Sequence, residues 1–462
     1  MTRRRTTVLI LIALAAASGV AAAQQPTAVD TSGTMPNVRR VTLREALELG
    51  RSNAPAMVQA QQNVRIADMS KMQAWAAYLP SISGSGSASR NSSQRVNQFG
   101  VPQSSSLTDN SSFGLSANLN LFTGFQRGAN SRLAAATADQ NQAALIAQQY
   151  STDLATKQAF FTELADEELV TVAQTQVRRS QEQLKLTTEK LRLGATTRAD
   201  SLSAQVDYGT QELALIQAQA NARTAQANLA RAVGVVGSIA ATRDTMLEVR
   251  ITSLDTAALR REALANAPSV VEAQAGVAAA RASLAASRAP LMPTLSAGAS
   301  QTWAGSQLPW NAAPVNRVIS GPDTSYVRSA RYTGTWQLRL TLSYPIFNNF
   351  QREAGMVQAD ANVVSNEAKL RDARLALDAN LTQALAALDA AGQQIDVSRT
   401  QVAAAEENLR MQRERYRLGA STIVDMLTAE VSTNQAEVGL VQARYNYLLA
   451  RAQLEAYVGH SL

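Results

Sequence analysis

The chain carries one unit twice, and that duplication limits what it can fold into more than any other feature. Asn53-Ala54-Pro55 returns as Asn266-Ala267-Pro268, and Leu79-Pro80-Ser81 returns as Met292-Pro293-Thr294 at the same spacing. Leu121-Phe122-Thr123-Gly124-Phe125 returns as Ile346-Phe347-Asn348-Asn349-Phe350 at a second, wider spacing. Lys190-Leu191-Arg192-Leu193-Gly194-Ala195 and Arg415-Tyr416-Arg417-Leu418-Gly419-Ala420 share that wider spacing, so the second copy holds extra residues between Thr294 and Ile346. Self-similarity of this kind marks one supersecondary unit used again. Each copy reads helix, strand, loop, strand, long helix, turn, return helix.

The long helices set the scale. No proline interrupts Gln126 to Arg192 or Gln351 to Arg417, and a helix of either length reaches about 100 Å. Leu381, Leu388, Ile395, Val402, Leu409 and Tyr416 recur every seven residues, as do Val170, Val177, Leu184 and Leu191. Small residues follow three positions later at Ala384, Ala391, Ser398 and Ala405, and at Ala173, Ser180 and Thr187. A 3.5-residue repeat makes helices supercoil, and small residues let their backbones approach. Val424, Val431, Val438 and Tyr445 extend the heptad into the return helix, which predicts an antiparallel coiled-coil hairpin. Its turns begin at Gly194 and Gly419, where glycine supplies a left-handed stop. An earlier helical stretch runs from about Leu43 to Tyr78 and ends at Pro80, which cannot continue a helix.

Just before each long helix the period changes to two. Trp336, Leu338, Leu340, Leu342, Tyr344 and Ile346 alternate with polar residues, as do Phe113, Leu115, Ala117, Leu119 and Leu121. That is the pattern of strands with one apolar and one polar face. The partner strands are weaker, with Leu295, Ala297 and Ala299 alternating in one copy and a serine-glycine stretch after Ser81 in the other. Polar loops are expected at about 89–109 and 305–331. Trp303, Trp310 and Trp336 gather in this region, as in an interfacial aromatic girdle, and Tyr344 joins them as a girdle candidate.

Arg3, Arg4 and Arg5 precede the apolar run Val8 to Ala17 and the small residues Ala21-Ala22-Ala23, which together read as a secretory signal peptide. Its removal takes three arginines from a formal net charge of +7, leaving too little positive charge to argue for nucleic acid. No later run approaches the ~20 apolar residues of a spanning helix, so a membrane crossing has to be made of strands. The chain has no cysteine and a single histidine, His460. No metal site, cofactor site or nucleophile–base pair can be assembled from such an inventory, and no enzymatic activity is expected.

Four strands cannot close a transmembrane barrel, since barrels begin at about eight. An open edge in lipid leaves unpaired backbone groups, so protomers must pool their strands. The helices then project off the membrane and join neighbours into a hollow cylinder. The alternative is a structural periplasmic or surface coiled-coil protein, which has no need of amphipathic strands in each copy.

The duplicated unit, the L-P-x strand start, the L-F/I-F strand exit and the paired R-L-G-A-x-T-x-x-D turns resemble the TolC-like outer-membrane efflux factors, over about Val41 to Gly459. The resemblance implies an α+β membrane protein in which four strands per protomer form a 12-stranded trimeric β-barrel continuous with a periplasmic α-helical barrel. It implies a homotrimer in outer-membrane lipid that works passively with a periplasmic membrane-fusion adaptor and an inner-membrane pump of RND, ABC or MFS type, in efflux or type I secretion. The expected divisions are a signal peptide (1–23), a flexible linker (24–40), repeat one (41–234), an equatorial connector (235–257), repeat two (258–459) and a short tail (460–462). Strands are placed at about 81–90, 113–122, 294–304 and 333–346, and return helices at 199–233 and 424–458.

By position, the resemblance makes Asp425 a member of an acidic ring at the periplasmic constriction, with Thr428 at the site of a second aspartate. Asp200 and Tyr416 correspond to residues that link neighbouring coiled coils in a closed state, and Ser421 stands where an arginine of that lock is found. The residues themselves offer another role. Thr197-Arg198-Ala199-Asp200 and Thr422-Ile423-Val424-Asp425 both read T-x-x-D, a capping box opening each return helix. The exposed turn residues Gly194, Ala195, Thr197, Gly419, Ala420 and Thr422 are the candidates for adaptor docking. Arg410, Arg413, Arg415 and Arg417 read as a solvated face, and Tyr445 and Tyr447 as helix packing.

Overall fold

A computed structural model describes residues 39–93, 99–100, 106–243, 255–305 and 332–460. The signal peptide, nearly all of the 24–40 linker, Trp310 and residues 244–254 of the 235–257 connector lie outside the described residues. Copy one comprises β1 (Arg39–Val41), α1 (Leu43–Asn53), α2 (Pro55–Ala76), β2 (Ser81–Ser93), β3 (Ser106–Phe122), α3 (Gln126–Arg192) and α4 (Arg198–Ala232). After β4 (Ile239–Ala241), copy two comprises α5 (Thr256–Asn266), α6 (Pro268–Ser287), β5 (Thr294–Gly305), β6 (Tyr332–Ser343), α7 (Gln351–Arg417) and α8 (Ile423–Val458).

Three expectations about where elements begin, end and pair need correction. The stretch from Leu43 to Tyr78 is two helices, because Pro55 drives Ala54 to ψ 128° and restarts the helix at its own first position. Ala267 and Pro268 repeat that break, with ψ 135° at Ala267. Strands β2 and β3 extend through Ser93 and from Ser106, into the expected loop. Serine-rich sequence hid this, since cross-strand pairing overrides a weak intrinsic preference for β structure. Finally, the linker and connector meet: β1 and β4 pair in parallel, with Arg39 opposite Ile239 and Val41 opposite Ala241. Three-residue strands carry no readable period.

The small sheet is fastened to α3 by a buried carboxylate. The Ala241 N–H donates to Glu163 Oε2 at 2.9 Å, and Val41, Phe160, Leu164, Leu229, Ile239 and Tyr445 form the surrounding core. Loss of hydration pushes the Glu163 carboxyl up from 4.5 to about 7, against the Ala241 N–H that favours its charged form. The folded state therefore binds this proton more tightly than the unfolded chain. Stability conferred here is full below about 4.5 and is lost as pH rises to about 7, a change of about 3 kcal/mol. Glu163→Gln keeps an acceptor for Ala241 and removes the ionisation. The fall in melting temperature between pH 5 and pH 8 is expected to shrink in this variant, and an undiminished fall measured by circular dichroism would contradict the assignment.

A second core runs along copy two, where Leu381, Leu388 and Ile395 of α7 pack with Val270, Tyr447, Leu454 and Val458. Each such side chain contributes roughly 1.5–3 kcal/mol by leaving water. The heptad reading of α7 describes this seam, but that of α8 does not. Val424 and Val431 are exposed, while Ile423, Met426, Glu430, Thr433 and Asn434 are buried. In α3 the small residues Ala173, Ser180 and Thr187 are buried, and Val170, Val177, Leu184 and Leu191 are only half-buried. The larger members of that heptad face partly outward in the single chain.

Candidate functional site: membrane sheet and hairpin tips

Strands β2, β3, β5 and β6 form one antiparallel sheet in that order, so β2 and β6 are both open edges. Register assigns the faces. Leu338 lies opposite Ala299 and Leu340 opposite Ala297, which in turn lie opposite Ala117 and Leu119 of β3. These residues share one apolar face, whereas Ser83, Ser116, Ser300 and Gln337 share the other. The apolar face is uncovered within the chain: Trp336, Leu338, Leu340 and Leu342 are each about seventy per cent exposed. A patch of that kind on an open sheet marks a surface built to meet another phase or another copy.

Aromatic residues mark the two ends of this face. Trp303 and Trp336 stand toward one end, and Trp303 packs over Gly334 on the neighbouring strand. Tyr344 lies just past β6 at the other end, exposed, eight residues from Trp336, about 27 Å in strand conformation. That separation suits an apolar band of ~25 Å between two girdles. Sequence reading missed four residues at the second end. Phe122 and Phe125 meet edge-to-face at 5.5 Å, and Phe347 and Phe350 repeat the pair at 5.6 Å.

Those phenylalanines sit where strand becomes helix, and the second of each pair is one of two successive left-handed residues. Gly124 and Phe125 have φ of 60° and 67°, and Asn349 and Phe350 have 55° and 59°. A Cβ on Gly124 would meet Met292 Cβ at 2.5 Å and the Ala289 carbonyl at 2.9 Å, so only glycine fits there. Asparagine serves in copy two because it tolerates this conformation. An arginine in the first turn of each long helix secures the junction: Arg127 donates to the Leu121 carbonyl at 2.9 Å and Arg352 to that of Pro345 at 2.9 Å.

The opposite ends of the long helices carry the other candidates. Gly194 and Gly419 have φ of 72° and 73°. The Ala195 N–H donates to the Lys190 carbonyl at 2.8 Å and the Ala420 N–H to that of Arg415 at 2.7 Å, ending both helices alike. A Cβ on either glycine meets nothing within 4 Å, and Leu193 and Leu418 beside them are exposed. The two tips are open and small.

Both capping boxes form. Thr197 accepts from the Asp200 N–H at 3.2 Å, while Asp200 Oδ2 accepts from the Thr196 hydroxyl at 2.6 Å and the Thr197 N–H at 3.2 Å. Thr422 accepts from the Asp425 N–H at 3.2 Å, and Asp425 Oδ2 accepts from the Thr422 hydroxyl at 2.7 Å and N–H at 3.0 Å. Hydrogen bonds from Thr196 to Asp200, and from Thr422 to Asp425, hold both carboxyls below the usual range. Both stay charged at neutral pH.

The remaining gate candidates are only partly brought together. The Tyr416 ring lies under the Lys190 ammonium at 4.4 Å, joining the end of α7 to the end of α3. Among the described residues its buried hydroxyl has no hydrogen-bond partner, so it does not bond Asp200. Ser421 Oγ reaches the Gln412 carbonyl at 3.4 Å, and the Thr428 hydroxyl donates to Val424 in its own helix at 2.8 Å.

Behind the tips, the seam between hairpins is polar. Glu430 is 1% exposed and its oxygens have no hydrogen-bond partner among the described residues, with Arg413 at 3.6 Å. Burial pushes its carboxyl up, against the attraction of Arg413. Arg179 on α3 pairs with Glu437 on α8 at 2.8 Å, and Asn434 Nδ2 reaches Gln211 Oε1 on α4 at 3.5 Å. The signal was available: Met426, Glu430, Thr433 and Glu437 lie at helical spacing on the buried side of α8, where a repeat of large apolar residues would have continued.

Comparison with known proteins agrees with this geometry. The family described as outer membrane efflux protein matches residues 46–235 and 259–460. Protein CyaE of Bordetella pertussis is 27% identical over 429 residues, covering 90% of this chain and 81% of that one. Outer membrane protein TolC of Escherichia coli is 24% identical over 326 residues, covering 67% of this chain and 62% of its own length. Among solved structures, the CmeC outer membrane channel of Campylobacter jejuni has a TM-score of 0.71 at 16% identity, with 90% of this chain and 85% of that one aligned. The open state of the MtrE outer membrane channel of Neisseria gonorrhoeae has a TM-score of 0.69 at 19% identity, with 93% and 94% aligned. Since both copies of its internal repeat are matched over nearly their whole length, this chain belongs to the outer membrane efflux protein family.

Proposed function

We propose that three copies of this chain close a twelve-stranded barrel and form a passive exit duct for substrates delivered by an inner-membrane pump through a periplasmic adaptor. The observation that carries the reading is the four-stranded sheet with an uncovered apolar face and two open edges. In lipid, each unpaired edge group costs several kcal/mol, and pairing β6 of one copy with β2 of the next removes the cost. The long helices continue the bore into the periplasm, with their tips as its mouth and as the adaptor's docking surface. Cargo is then chosen by the pump, in drug efflux or in type I secretion.

Fractionation tests the duct: heat-modifiable trimers extracted from outer membrane support it, whereas release by osmotic shock favours a periplasmic spacer. At the mouth, Asp425 is a fixed negative charge in each copy. Asp425→Asn keeps an acceptor for the cap and removes the charge. In planar bilayers this variant is expected to lose about half of the wild-type cation preference, and unchanged selectivity would remove Asp425 from the constriction.

A further inference from the structure

The polar face of the sheet is almost free of charge. Among its described strand residues, every one is serine, threonine, asparagine, glutamine, glycine or alanine, with a single exception, Arg339 on β6. Register places Arg339 opposite Gly298, and Gly298 opposite Asn118. Asn118 lies over Gly298, since a Cβ there would meet Asn118 Oδ1 at 2.9 Å. The guanidinium reaches Gln337 Oε1 at 3.4 Å on the same face, and no carboxylate pairs with it among the described residues.

Position makes this arginine more than one surface charge. Leu338 and Leu340, its two neighbours in sequence, point to the apolar face. Arg339 is four residues inside the end of β6 at Ser343, about 14 Å along the strand. It is therefore at the depth of the apolar band rather than at either girdle. A charge facing water with a low-dielectric wall behind it has its field focused into that water. Rings of arginine or lysine at such positions favour anions.

We propose that Arg339 is the charge-selecting residue of the barrel lumen, its three symmetry copies favouring anionic solutes such as carboxylates and phosphates against the acidic periplasmic mouth. The inference rests on the trimeric duct described above. Arg339 then works in series with Asp200 and Asp425, whose carboxylates lie at the far ends of the long helices. The lumen offers no acid of its own on the described strands to cancel it. With a Debye length of about 8 Å at physiological salt, the effect is larger at low ionic strength.

Reversal potentials of purified trimers in planar bilayers under a KCl gradient provide the test, at about 0.1 M and at about 1 M salt. Arg339→Gln is expected to raise the potassium-to-chloride permeability ratio about two-fold at the lower salt, and Arg339→Glu further, while Arg339→Lys stays at wild type. Gln337→Glu, which sets a carboxylate beside the same guanidinium, shifts the ratio in the same direction without touching Arg339. Channels whose ratio is unchanged in Arg339→Gln and Arg339→Glu overturn the proposal and leave the duct standing. Absence of any conductance from the wild-type protein overturns both.

Discussion

A Gly419→Val variant is expected to lose export while its trimers still assemble. Gly419 has φ of 73°, a conformation that a β-branched residue resists, at roughly 1–2 kcal/mol or more. Nothing lies within 4 Å of a Cβ placed there, so the position is open within the protomer. The strain is relieved by reshaping the turn, where Ala420 N–H and the Arg415 carbonyl hold the tip in its present form. A partner that docks tip to tip on small residues then meets a bulkier, displaced surface. Gly194→Val acts in the same way at the other tip. Gly439, inside α8 and equally open at its Cβ, is the control: Gly439→Ala lies in an ordinary helix and is expected to be silent or to stabilise by up to ~1 kcal/mol. Export or drug-tolerance assays beside heat-modifiable gels separate the outcomes. Wild-type tolerance in Gly419→Val with intact trimers would count against docking at the tips.

The second large effect concerns two adjacent residues. Leu340→Arg is expected to abolish outer-membrane trimers, whereas Thr341→Arg assembles normally. Register places Leu340 beside Ala297 on the apolar face and Thr341 beside Ser296 on the polar face. Arginine facing lipid near the middle of the bilayer costs about 2–4 kcal/mol in each protomer, and a trimer meets that cost three times. In the lumen of the proposed duct the same side chain would face water, and Arg339 on that face is exposed. Equal assembly of the two variants, judged by extraction from outer membrane, would show that the apolar face does not meet lipid.

Much of this architecture was legible because it is local. Trp336 to Leu342 carries the period of a strand, Gln126 to Arg192 that of an uninterrupted helix, and T-x-x-D the signature of a cap. The alternation runs on to Ile346, but β6 ends at Ser343, before Pro345, which has no N–H to pair. Both caps form as read, with Asp200 and Asp425 each bonded to its own threonine. The breaks at Pro55 and Pro268 were equally local and were overlooked in a long helical pattern, although proline restricts the residue before it. Other features had no local signal. Nothing in Arg39–Val41 or Ile239–Ala241 announces a parallel pair, since the two segments acquire partners only through the helices between them. The buried side of α8 was misassigned because Val424 and Val431 repeat every seven residues yet face outward. The seam there is set by α7 together with α3 and α4 of the other hairpin, so Glu430 is buried and the valines are not.

Taken alone, the sequence determined the duplicated unit, the length of the helices, the two faces of β3, β5 and β6 and the left-handed turns at Gly194 and Gly419. All of these follow from backbone sterics and from side-chain periodicity within a single element. Only the tertiary structure decided the strand order β2-β3-β5-β6, which leaves both outer edges open. It also decided the join between β1 and β4, the burial of Glu163 and Glu430, and the isolation of Arg339 on an uncharged face. Those depend on which elements meet across long stretches of chain, and register and burial exist only after they have met.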